Sequence, residues 1–209
     1  MVGGDQMNVV ILGATGTFGT QLTQKLLLDT NYQLTLVSRS ARSVYGDSER
    51  VTVVNADVTD LDNLKVVLEN QDIVYCAVSG EQLPVVAKNL VDVMSDSKAR
   101  LIFMGAIGIY NEIPYAMDGQ DNVENNPDQL CNRDAVEVIE NSQLNYTVFR
   151  PGYLRDGDAD DYVITKKGEF AKGYITTIPS VIKIALDIMS NNKLYLHESI
   201  GITKNMTNI

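Results

Sequence analysis

Short apolar runs rich in β-branched residues recur along the chain, each followed by turn residues and then by a stretch whose apolar positions return every three or four residues. The runs are NVVIL from Asn8, QLTLVS from Gln33, VTVVN from Val51, DIVYCAV from Asp72, RLIFM from Arg100, YTVFR from Tyr146 and KLYLH from Lys193. Strands that read as continuous apolar runs are buried on both faces, and helical spacing between them supplies the covering layers. Phe18, Leu22 and Leu26 fall on one helix face, as do Leu61, Leu64 and Leu68, and Val86, Leu90 and Met94. Ala135, Val138 and Ile139 mark a later helix, and Ile182, Ala185, Leu186 and Met189 one after Pro179. The pattern predicts an α/β protein with a doubly wound parallel sheet of about seven strands and helices on both faces. Helix starts are marked by the capping-box character of Thr59 to Asp62 and by Pro84 and Pro179, residues tolerated in a first turn.

Two stretches depart from this alternation. Residues 111–130, beginning NEIPYAMDGQDNVENNPDQ, are polar and too long for an ordinary connection. Residues 152–173 follow the sixth run and contain TKKGE, a plausible hairpin turn. Both follow the carboxyl end of a strand, where open α/β sheets bind ligands, so together they are expected to form the substrate side. Neither an internal repeat nor a low-complexity linker interrupts the chain, and residues 1–209 are expected to fold as a single domain.

Composition narrows the function. No run approaches the roughly 18 apolar residues needed to span a bilayer. The start, MVGGDQ, has neither the basic residues nor the apolar stretch of a signal peptide, so a cytoplasmic protein is expected, with Met7 a possible natural start and residues 1–6 a tag remnant. Two cysteines, Cys76 and Cys131, and a single histidine, His197, argue against a disulfide framework or a metal site. A formal charge of −10 repels nucleic acid and anionic membranes, so any anionic ligand must be held by local groups.

Such groups follow the first run. GATGTFG places Gly13, Gly16 and Gly19 between a strand and an amphipathic helix. One glycine serves a tight turn, one the close approach of a pyrophosphate and one the packing of helix on strand, while the helix N-terminus offers free N–H groups. In that setting the motif predicts a Rossmann-type dinucleotide site. An NAD site usually carries Asp or Glu at the end of the second strand. Residues 31–46, NYQLTLVSRSARSVYG, contain no acid but offer Arg39, Ser40 and Arg42, a set suited to a 2′-phosphate, so NADP(H) is preferred over NAD(H). A solvated basic turn is the alternative. Asp57 and Val58 after the third run could flank an adenine, and Ala77, Val78 and Ser79 after the fourth could back a ribose; each is equally readable as a turn residue.

With the glycine turn, NADV at Asn55, FMGAIGIY at Phe103 and LNYTVFRPGYL at Leu144, the chain resembles the atypical short-chain dehydrogenase/reductase superfamily, in its compact NAD(P)H-binding group of NmrA-like proteins and biliverdin reductase B-type flavin reductases. The resemblance implies cofactor contact by Gly13, Thr15, Gly16, Thr17, Phe18, Gly19, Arg39, Asp57, Val58, Ala77, Val78, Ser79, Met104, Gly105 and the segment from Arg150 and Pro151 to Tyr153. Conventional members reduce carbonyls with a tyrosine tuned by a lysine four residues on in a helix, aided by a serine. Here Met104, Gly105 and Ala106 stand in the serine region, and Asp128 and Asn132 where the tyrosine and lysine would be. The single Y-x-x-x-K, Tyr162 to Lys166, lies in the strand-like YVITK, which would separate the pair by about 13 Å rather than about 6 Å.

Two functions fit a cofactor site without that pair. One is an NADPH-dependent reductase whose small-molecule hydride acceptor is a flavin, quinone or similar conjugated system. The other is a non-catalytic NADP(H) sensor acting on a protein partner. Tyr110, Tyr115 and Tyr153 are the candidate acceptor-side residues, with packing as the alternative for each, and His197 is expected to be an edge-strand residue.

Overall fold

The computed structural model describes residues 6–204, so the expectation for residues 1–6 concerns positions almost wholly outside it. In chain order the elements are β1 (Asn8–Leu12), α1 (Thr17–Asp29), β2 (Gln33–Ser38), β3 (Val51–Asn55), α2 (Leu61–Leu68), β4 (Ile73–Cys76), α3 (Leu83–Met94), β5 (Arg100–Met104), α4 (Leu130–Glu140), β6 (Asn145–Pro151), β7 (Tyr153–Arg155), β8 (Val163–Lys166), β9 (Ile175–Thr177), α5 (Ile178–Ser190) and β10 (Glu198–Thr203). The main sheet runs β3-β2-β1-β4-β5-β6-β10-β8, parallel except for β8, which pairs antiparallel with β10. A small second sheet joins β7 and β9. The order reverses between β1 and β4, and such a reversal opens a crevice at the carboxyl ends of the strands.

Alternate residues of the central strands divide the core into two layers. Val10, Leu12, Val74, Cys76, Leu101 and Phe103 face the layer that includes Leu64, Leu90 and Val136 from α2, α3 and α4. Val9, Ile11, Tyr75, Ile102 and Phe149 face that of Leu22 and Leu26 from α1 and Ile184 and Ile188 from α5. Each leucine wholly removed from water contributes roughly 2 kcal/mol before entropy is counted. Helix α2 starts at Asp60, whose carboxylate accepts from the backbone N–H groups of Asp62 and Asn63. Thr59 is not the cap: its N–H and hydroxyl both donate to Asp57.

The expected strand at KLYLH is a run of turns, and the strand begins one residue later. The alternation of Leu194 and Leu196 imitates a strand, but Tyr195 and His197 take left-handed conformations, with φ of 51° and 59°. Arg100 and Thr147 fix this turn by donating to the carbonyl oxygens of Leu194 and Tyr195. His197 therefore lies in the turn, exposed, with its ring 5.6 Å from that of Tyr146. The true strand, ESIGIT, was hidden by its polar start and by Gly201, which stands where a Cβ would strike the Thr165 side chain of β8. YVITK does form the edge strand, with a left-handed Gly168 in the turn that follows.

Residues 111–130 form a packed loop with three short 3-10 turns. Its centre is Asn122, a buried side chain that accepts from the Ile113 N–H at 3.0 Å and donates to the Ile113 carbonyl at 2.8 Å. That pairing satisfies backbone groups a strand neighbour would otherwise satisfy.

Candidate functional site

The glycine turn sits at the sheet reversal. Gly13 is left-handed, with φ of 84°, and a Cβ there would come within 2.7 Å of the Ala77 carbonyl oxygen at the end of β4. Gly19, buried one turn into α1, stands so close to Gly13 and Ala14 that a Cβ would collide with their backbone. Gly16 is the exposed N-cap of α1, and no side chain caps the helix. The N–H groups of its first turn, Thr17 to Gly19, therefore lack an intrahelical acceptor, and no acid stands among them. Open N–H groups, a positive helix end and a bare backbone fit a pyrophosphate. Tyr45 braces the turn from outside by donating to the Ala14 carbonyl at 2.9 Å, a contact that nothing in the motif signals. Thr15 reaches the Ser38 hydroxyl at 3.1 Å, linking the turn to the end of β2.

Beyond β2, Arg39 and Ser40 are exposed. Arg42 is engaged with Asp47 at 2.7 Å. The Val53 N–H and then Arg42 hold the Asp47 carboxyl below its usual range. Asp57, past β3, is held low mainly by the Thr59 N–H and hydroxyl, with a smaller contribution from the charge of Arg39. Val58 is buried against the core and offers little side-chain surface to a ligand. Ala77 and Val78 are half-buried at the end of β4, and Ser79 is exposed.

Next to this line, at the ends of β5 and β6, lies a hollow of about 450 Å³ lined by Ala106, Ile107, Asp121, Gln129, Pro151, Gly152, Tyr153, Leu154 and Tyr174. Met104 is buried, and the Gly105 N–H donates to Phe149. Tyr153, half-exposed, lies with its ring 6.4 Å from that of Tyr174 and 26° from parallel to it. The Tyr174 hydroxyl donates to the Asp121 carboxylate, and burial, reinforced by that carboxylate, raises the phenol above its ordinary range. Gln129 has both ends of its amide in use, donating to Ile107 and accepting from Asn132. Asp128 is exposed just before α4.

Several expected residues lie elsewhere. The Arg150 side chain is 0% exposed, ion-paired with buried Glu112 and donating to Ser199 at 3.1 Å. Its guanidinium is therefore closed to any ligand, whereas Pro151, itself buried, and Gly152 line the smaller hollow. Tyr110 belongs to a larger hollow of about 700 Å³ on the far side of α4, where its hydroxyl meets Glu140 at 2.6 Å and Ser199 at 3.0 Å. Burial and then Glu140 push that phenol up. The larger hollow is not at the sheet reversal, so size does not mark the site. Tyr115 is 81% exposed and lines neither hollow. Lys166 is paired with Glu198 at 3.0 Å, while the Tyr162 ring lies 5.9 Å from Lys183. Asp121, Gln129 and Glu112 went unread within the predicted loop, and Tyr174 fell one residue beyond the other. Among the described residues no cluster suited to a metal ion occurs, and no helix is long and apolar enough to cross a membrane.

Comparison with known proteins agrees with this geometry. A short-chain dehydrogenase/reductase from Veillonella parvula, solved in complex with NADP, is similar over 98% of each chain, with 25% identity and a TM-score of 0.87. A Rossmann-fold NAD(P)-binding family protein from Shigella flexneri shares 29% identity over 97% of this chain and 96% of its own, with a TM-score of 0.79. A protein from Streptococcus pneumoniae designated an NADH-flavin reductase has the same fold, at 16% identity over 95% and 99% and a TM-score of 0.74. No curated protein matches the chain by sequence. The NAD(P)H-binding family profile covers residues 13–192, from the first glycine of the turn to just beyond α5, and the chain belongs to that family.

Proposed function

We propose that this protein is a cytoplasmic NADPH-dependent reductase that passes hydride to a flavin, quinone or similar conjugated small molecule held between its two long loops. The observation that carries the reading is the 450 Å³ hollow at the ends of β5 and β6, which has tyrosine rings on its wall and no tyrosine–lysine pair. A carbonyl that takes hydride becomes an alkoxide needing a proton donor or oxyanion site at once, whereas a conjugated ring spreads the charge and collects its proton from water. NADPH supplies the hydride when bound. The chain's own residues orient the partners and exclude water, and orientation contributes several kcal/mol to such a step.

In this reading Gly13, Thr15, Gly16, Thr17, Phe18 and Gly19 hold the pyrophosphate. Asp57 and Val58 lie beside the adenine, Ala77 to Ser79 beside the ribose, and Met104, Gly105 and Pro151 on the nicotinamide side. Arg39 and Ser40 take the 2′-phosphate, with Arg42 joining only by releasing Asp47. Calorimetry is expected to give tighter binding of NADPH than of NADH, with the difference lost in Arg39→Asp; equal affinities would remove the case for NADP. NADPH oxidation against a panel of acceptors is expected to be faster with flavins and quinones than with aldehydes. Tight NADPH binding with no acceptor reduced would favour the sensor over the reductase.

A further inference from the structure

The hollow between the two loops has a pronounced charge. Of its lining residues only Asp121 is ionisable near neutral pH, and no lysine, arginine or histidine among the described residues takes part. The loop of residues 111–130 carries five acids, Glu112, Asp118, Asp121, Glu124 and Asp128, and no base. Glu112 is neutralised by buried Arg150, and among the described residues the remaining four have no ion-pair partner. Residues 152–173 are nearly balanced instead, with Asp160 near Lys183 at 3.8 Å, Asp161 on Lys204 at 2.5 Å, and Arg155, Lys166, Lys167 and Lys172 in the same segment as Asp156, Asp158 and Glu169. The Arg155 guanidinium lies 4.0 Å from the ring centroid of Tyr153 on the wall.

The hydrogen-bonding polarity runs the same way. Because the Tyr174 hydroxyl donates to Asp121, the phenolic oxygen presents lone pairs, and the carboxylate itself only accepts. Gln129 is committed on both sides. The Tyr153 hydroxyl, which has no hydrogen-bond partner among the described residues, is the one lining group free to turn either way.

We infer that this pocket selects an uncharged conjugated acceptor bearing a ring N–H or O–H donor, and that Asp121 with Tyr174 discriminates against acceptors carrying phosphate or carboxylate groups. The inference rests on the pocket being the acceptor slot. Asp121 already accepts from Tyr174 and, at 3.1 Å, from the Asn126 side-chain amide, so a donor on the ligand edge meets the remaining lone pairs of Asp121 and Tyr174, which only accept there. An anionic substituent meets the charge of Asp121 on the wall and of a loop, residues 111–130, that carries acids and no base.

Riboflavin and its 5′-phosphate differ only in that substituent. NADPH oxidation at low ionic strength is expected to give kcat/KM for riboflavin about fivefold or more above that for the phosphate, with the gap closing in high salt as the charges are screened. Asp121→Asn is expected to narrow it without salt. A phosphate ester reduced as well as riboflavin overturns the selectivity and leaves the reductase reading intact. Quenching of flavin fluorescence by the NADP⁺-loaded protein reads the same preference without turnover and needs no variant. Preferential binding of riboflavin with no reduction of either flavin keeps the pocket assignment and sinks the reductase. Equal binding of both flavins, or binding of neither, overturns the inference.

Discussion

Two residues far apart in sequence set the floor beneath both loops. Arg150, at the end of β6, and Glu112, in the loop after β5, are both buried and face each other as an ion pair. Glu112 also accepts from the Tyr110 N–H at 2.9 Å, and its carbonyl takes the Ala171 N–H at 2.9 Å, so one residue ties three segments together. Breaking a buried pair leaves a charge without compensation, which costs more than the pair itself contributes. Glu112→Gln is expected to lower unfolding free energy by about 3–5 kcal/mol, read by urea titration. The double change Glu112→Leu with Arg150→Met is expected to recover much of that loss. A single variant as stable as the parent would show that the guanidinium finds water or another partner.

At the scale of elements, the strand–turn–helix unit that opens the chain depends on bare backbone at Gly19. Its Cβ would meet the backbone of Gly13 and Ala14, so the helix must move relative to the turn. Gly19→Ala is expected to cost about 1–3 kcal/mol in stability. It should also weaken NADPH binding roughly tenfold or more, because an ångström-scale shift spoils the N–H array. Gly46→Ala, where nothing lies within 4 Å, serves as the comparison and should change neither; equal effects would mean that the turn tolerates a methyl group.

This unit was legible because its spacing has one physical reading. So were the first six main-sheet strands, each a short run rich in β-branched and apolar residues that ends in turn residues. Strand β10 was not, since Leu194 and Leu196 copy its alternation while left-handed residues between them turn the chain. Parts of the proposed acceptor pocket were also hidden. Asp121, Gln129 and Tyr174 come together only through the folding of irregular loops, and no periodicity records which loop residue turns inward.

For the whole molecule, acid is the natural stress. Asp47 and Asp57 are held below the ordinary carboxyl value of 3.8 by backbone and side-chain hydrogen bonds, with Arg42 and Arg39 adding to them. A carboxyl with a depressed folded pKa stabilises the fold above its unfolded value, and that contribution disappears as pH falls through the folded one. The melting temperature is therefore expected to drop between roughly pH 5 and pH 3. Asp47→Asn should flatten part of that drop, and an unchanged profile would place the acid-sensitive groups elsewhere.

The molecule is also divided along its chain. The turn proposed to hold the cofactor is complete by Gly19, whereas the residues lining the proposed acceptor pocket run from Ala106 to Tyr174. Exchange of the two loops by recombination could change what is reduced without disturbing what supplies the hydride. A transplanted loop would have to arrive with its own match to Arg150, so on the proposed reading the two loops and the end of β6 would be the smallest inheritable unit of specificity.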